Sequence, residues 1–200
     1  MVDDRRFSSA IEKATQDLRA RDSQAIVVNS GGVVQDNALH LRILNRTAVV
    51  GLEDWTVRWV DGGEPDVDMK VVLLHYLLGS LGRLKNSWIT FREVEGGSLY
   101  FSAYNQAALI PLVKAFESDP EGFARNAESL GGRKVQRGDL SYDLYVFPFL
   151  VVNVTVWKGD DEVPTSGNIL FDSSASNTLR AEDLAHLAMD LVRILKRGKL

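Results

Sequence analysis

Two long apolar runs, Leu140 to Phe147 and Leu150 to Trp157, meet at Pro148. In the second run Leu150, Val152, Val154 and Val156 fall on one side of a period-two pattern. Side chains of a strand alternate between faces, so this spacing predicts two strands joined by a tight connection. The same alternation recurs upstream. Leu39, Leu41 and Ile43 alternate with His40 and Arg42, and Trp55, Val57 and Trp59 alternate with Thr56 and Arg58. One apolar face per strand is the signature of a half-buried antiparallel sheet, and the short connections favour a meander. Ala25 to Val28 reads as a further short strand, stopped by Asn29-Ser30-Gly31-Gly32. Trp88 to Val94 reads as a strand, Glu95 to Ser98 as a hairpin loop into Leu99-Tyr100-Phe101, and Asn168 to Phe171 as a short strand.

Helical spacing appears between these runs. Phe7, Ala10, Ile11, Ala14 and Leu18 form one stripe over Asp4 to Arg21, with Asp3 and Asp4 placed to suit the helix start. Asp66 to Leu81 reads as a buried helix ended by Gly82. Two more are expected over Tyr104 to Glu117 and from Asp119-Pro120 to Gly131-Gly132. The last, Arg180 to Arg197, buries Leu184, Leu187, Ala188, Leu191, Ile194 and Leu195. The expected fold class is α+β: a largely antiparallel sheet of about 6–9 strands with about five helices packed on it, all in one domain over residues 1–200.

The composition closes several routes. There is no cysteine, so the chain holds no disulfide, no thiolate zinc site, no cysteine nucleophile and no cysteine-ligated iron–sulfur cluster. A net charge of -4 argues against a general nucleic-acid or anionic-membrane surface. The longest apolar stretch, Val71 to Leu81, is shorter than the about 20 residues that span a bilayer. The charged start Met1 to Arg6 lacks the apolar core of a signal peptide, so a cytoplasmic protein is expected.

No motif announces a reaction. The Gly-Gly pairs at 31, 62, 96 and 131 fit neither dinucleotide nor P-loop spacing and fall where turns are expected. No G-x-S-x-G elbow is present, and Ser173, Ser174 and Ser176 sit where helix caps belong. His75, on the most buried helix, reads first as a core histidine with one hydrogen bond; the alternative is a ligand or proton-transfer role. Asp160, Asp161 and Glu162 follow a strand and Asp172 follows the next. Such carboxylates could bind a hard cation, or form a solvated acidic turn. Arg92 and Glu93 fall on opposite faces of the strand from Trp88, offering a structural ion pair or an anion site. The aromatic residues lack a basic stripe, which favours core packing over base stacking.

Several phrases together carry a resemblance. They include Leu73-Leu74-His75-Tyr76-Leu77-Leu78, Trp88-Ile89-Thr90-Phe91-Arg92-Glu93, Gly96-Gly97-Ser98-Leu99-Tyr100, Trp157-Lys158-Gly159-Asp160-Asp161-Glu162-Val163-Pro164 and Ile169-Leu170-Phe171-Asp172. In this order and spacing the stretch from Val67 to Leu195 resembles the uncharacterised DUF3786 family. That resemblance implies a setting in anaerobic bacteria and archaea. Some relatives carry a cysteine-rich segment suggestive of an iron–sulfur cluster, a role that this cysteine-free chain cannot take over. Position 163 is Val where the resemblance leads us to expect an aromatic residue. It brings no catalytic residues and no known cofactor.

Three functions follow as expectations. The first is an accessory or ligand- or cofactor-binding protein of anaerobic metabolism. The second is a metal-dependent enzyme built on Asp160, Asp161, Glu162 and Asp172 with Arg92 or His75. The third is a structural homodimer or a module for a protein partner. Convergence of Arg92, Glu93, Asp139, Asp160, Glu162 and Asp172 on one pocket would favour a ligand site or an enzyme.

Overall fold

The computed structural model describes residues 2–200, with side chains from residue 7 onward. The side chains of Asp3 and Asp4, and Met1 altogether, lie outside the described residues. Helix α1 (Val2–Arg19) leads to α2 (Ser23–Ser30) and a four-stranded sheet, β1 (Val33–Gln35), β2 (Ala38–Ile43), β3 (Arg46–Gly51) and β4 (Val57–Trp59). Its order is sequential and every pairing is antiparallel, as the meander reading expects. Asp36 and Asn37 join β1 to β2 with φ of 50° and 57°. Two successive positive φ values make the turn whose twist matches a hairpin, and Asp and Asn accept them most readily of the non-glycine residues.

Helix α3 (Val67–Gly79) follows, then β5 (Trp88–Thr90) and a single 3-10 turn, Phe91–Glu93. Helix α4 (Gly97–Tyr104) runs through a π turn, Asn105–Leu109, into α5 (Ile110–Phe116), and α6 (Pro120–Ser129) comes next. The second sheet is completed by β6 (Arg133–Lys134), β7 (Leu140–Phe147), β8 (Leu150–Trp157) and β9 (Ser166–Asp172), in the order β5-β9-β8-β7-β6. A short α7 (Ala175–Thr178) precedes α8 (Ala181–Arg197). The fold is α+β, and among the described residues nine antiparallel strands are divided between two sheets rather than joined in one.

One hydrophobic cluster includes residues of both sheets and of the long helices. From the second sheet, Tyr142, Leu144, Val152, Val154, Ile169 and Phe171 point into it, each no more than 1% exposed. Leu184, Leu187, Leu191 and Leu195 of α8 meet them there, as the helical stripe requires. The opposite face of that sheet is polar although buried. Ser141 pairs with Thr155 across β7 and β8 at 2.6 Å, Thr155 donates to Asn153 at 2.8 Å, and Asn153 donates to Asp143 at 2.7 Å.

Two segments differ from their sequence reading. Ala25 to Val28 is helical, because Asp22 caps the start by accepting from the Gln24 amide and Gly31 closes the end at φ 73°. Leu99 to Phe101 belongs to α4 rather than to a hairpin strand. Gly97 at its start lies so close to the Phe91 carbonyl that no Cβ fits. The strand from Trp88 stops at Thr90, so Arg92 and Glu93 stand on a 3-10 turn and not on two strand faces.

Candidate functional site

Most of the polar residues singled out in the sequence are occupied with local structure. The Asp160 carboxylate accepts from the amides of Glu162 and Val163, which hold it below the usual carboxylate range, and it closes its own turn. Asp161 and Glu162 are exposed on that turn. Glu93 accepts from the Thr90 amide and hydroxyl, which lower its pKa, and so caps the 3-10 turn. The Arg92 guanidinium lies 3.5 Å above the Phe101 ring. Asp139 accepts from the Lys158 amide.

Asp172 is buried and accepts four hydrogen bonds, from the amides of Lys85, Asn86 and Ser174 and from the Ser174 hydroxyl. Burial pushes its pKa up, but these bonds outweigh burial and hold it below the ordinary value. The two segments singled out in the sequence do meet, since Trp88 pairs with Asp172. The acidic turn does not join them. It adjoins Ser166, at the other end of β9, about 20 Å away at the rise of an antiparallel strand. Among the described residues no group of three or more His, Asp or Glu is arranged to hold a metal ion.

His75 faces a sizeable groove, of about 410 Å³, lined by α1, α3 and the start of α8. Its Nδ1 lies 2.8 Å from the Asp183 carboxylate, and the two side chains are 31% and 14% exposed. A carboxylate accepts, so this bond places a proton on Nδ1, and in the neutral form of the ring Nε2 is the acceptor. Each helix presents its residue for a local reason. His75 is the half-buried position in an otherwise buried stretch of α3. Asp183 stands in the first turn of α8, where negative charge is favoured.

The remaining walls mix charged side chains with Ala10 and Ala14 of α1 and Leu78 of α3. On α1, Lys13 pairs with Asp17 at 3.1 Å. Arg21 donates to the Leu78 carbonyl and so ties the end of α1 to the end of α3. Arg180 is exposed at the mouth, just before α8. The floor is close-packed: Gly79 of α3 lies so near the Thr178 carbonyl that no Cβ fits between them. The Thr178 hydroxyl donates to the Ser174 carbonyl, so it is engaged in structure rather than poised as a nucleophile. Sequence reasoning picked out His75 but missed Asp183, Arg180, Arg21 and Lys13. They come from separate helices, and spacing along the chain carries no mark of a pair 108 residues apart.

A second cavity, of about 310 Å³, lies where Trp59 and Arg46 approach α8. At its wall Arg193 bonds Asp190 at 2.8 Å and lies within 4 Å of Asp66 and Asp68. Burial pushes the Asp190 pKa up from 3.8 to about 6, against the attraction of Arg193.

Among the described residues no helix is long and apolar enough to cross a membrane. No curated protein and no solved structure matches the chain. Residues 22–194 match the family described as Domain of unknown function (DUF3786), over most of the length and across every element from α2 to α8. The chain therefore belongs to the DUF3786 family.

Proposed function

We propose that the protein is an accessory ligand-binding protein of the cytoplasm, serving anaerobic metabolism, and that its binding site is the His75–Asp183 groove. The observation that carries this reading is the 2.8 Å bond from His75 Nδ1 to Asp183 inside a charged groove of about 410 Å³. A carboxylate that fixes the tautomer of a half-buried imidazole leaves the second ring nitrogen as an oriented acceptor. Pockets that combine a few placed polar groups with enough volume for a small molecule are the usual places for ligands. The anaerobic setting rests on the family resemblance alone.

Thermal melting against a panel of organic acids, amino acids, nucleotides and divalent cations tests the reading. A ligand at 100 times its dissociation constant adds about 2.7 kcal/mol to the native state. That raises the midpoint by roughly 5–10 °C for a chain of this size. The rise should shrink in Asp183→Ala, which removes the acceptor that holds the imidazole. A panel that leaves the wild-type midpoint unchanged throughout would remove the support for a small-ligand site.

A further inference from the structure

The pairing of charges within the groove narrows what it can hold. Its carboxylates are committed: Asp17 to Lys13, Asp183 to His75, and Glu182 to a partner of its own. Its guanidinium groups are not. Arg21 spends one N–H on the Leu78 carbonyl, and the Arg180 guanidinium makes no hydrogen bond among the described residues, although the Arg180 carbonyl accepts from the Leu184 amide. A guanidinium offers five N–H donors in a planar fork, so most of these donors remain for a ligand. That fork matches the paired oxygens of a carboxylate or a phosphate. Lys13 and Asp17 cancel each other, which leaves the free donors of the groove on the arginines.

Resting on the groove being the binding site, we propose that it takes the oxyanion end of a small ligand, a carboxylate or a phosphate, through Arg180 and Arg21 beside His75. Nε2 of His75 is then placed to accept a hydrogen bond from a hydroxyl or amine next to that oxyanion. The ligand class is a small hydroxy or amino acid, or a phosphomonoester.

Titrations followed by amide and imidazole NMR test this directly, with inorganic phosphate in one arm and succinate in the other, into the tens of millimolar. Ionic strength is held constant with sodium chloride, and uncharged glycerol and acetamide form a third arm. The expected result is saturable shifts of the His75 ring and of the amides of residues 180–184 with at least one anion. Arg180→Gln should weaken that binding about tenfold, the loss of one charge-assisted contact. Arg125→Gln, which removes an exposed arginine of α6 outside the groove, should leave it unchanged. Arg180 is exposed and makes no cap bond, so the variant keeps its fold, which the amide spectrum verifies. Saturation with phosphate alone assigns a phosphomonoester, and with succinate alone a carboxylic acid. Binding that is indifferent to Arg180→Gln overturns the proposal. Shifts with the uncharged arm and none with either anion overturn it too, while the groove stays a ligand site. Silence in all three arms, together with a flat melting panel, removes both.

Discussion

Replacing Asp190 by Asn should change the pH dependence of stability in a defined window. The Asp190 side chain is 11% exposed, bonds Arg193, and lies near Asp68, Asp66 and His186. Burial raises its pKa from 3.8 to about 6, against the pull of Arg193. A carboxyl with a raised folded-state pKa binds its proton more tightly when folded than when unfolded. It therefore favours the folded state fully below pH 3.8, and that contribution is lost as pH rises through about 6. The full swing is about 3 kcal/mol, at 1.36 kcal/mol per pH unit. Asparagine does not titrate, so Asp190→Asn should gain about that much relative to wild type between pH 3.5 and pH 7.

The attraction of Arg193 acts on the ionised carboxylate, so it is already contained in the raised pKa and adds no separate contribution to the swing. Urea unfolding of both proteins at half-unit pH steps reads the difference, with His186→Gln in both backgrounds to remove the neighbouring imidazole. Thermal midpoints should track it by about 2–4 °C per kcal/mol. A difference that stays flat from pH 3.5 to pH 7 would refute the reasoning, because Asp190 would then ionise as an ordinary carboxyl does.

Two further substitutions test buried polar groups in opposite directions. Among the described residues the buried Tyr104 hydroxyl has no hydrogen-bond partner, and burial pushes its pKa far up, so Tyr104→Phe should leave stability unchanged or raise it by up to about 1 kcal/mol in urea unfolding. Asp172→Ala strips three backbone amides and a hydroxyl of their acceptor and should cost about 3 kcal/mol or more by the same assay. Because the Asp172 pKa is lowered in the fold, its contribution is present above pH 3.8 and is lost as pH falls, and the variant should show a shallower acid limb than wild type.

The parts of the fold legible in the sequence are those whose pattern is local. The runs from Leu140 and from Leu150 become β7 and β8 with the expected ends, and the stripe from Leu184 to Leu195 becomes the buried face of α8. Ala25 to Val28 misleads because β-branched residues in a short run suit a strand, and only the caps at Asp22 and Gly31 show otherwise. The division into two sheets is hidden for another reason. Alternation shows which face of a strand is buried but not which strand lies beside it. The groove is hidden more deeply still. His75 looks like a core residue until Asp183 is brought to it by the packing of α3 against α8.

The position of β5 sets an order on assembly. Four strands of the second sheet come from one continuous stretch, β6 to β9, and all four pair in succession as three hairpins. Strand β5 arrives from the far side of the helices α4, α5 and α6 to pair with β9, Trp88 against Asp172. Closing a loop of about eighty residues carries an entropy cost of about 4 kcal/mol. Hairpins form first, because their loops are short. Loop length therefore predicts that β5 pairs with β9 after the hairpins have formed, and that the amides of Lys85 and Asn86 reach Asp172 only with that pairing. On that order the strand that joins the second sheet last is the one whose pairing locks in the loop before it.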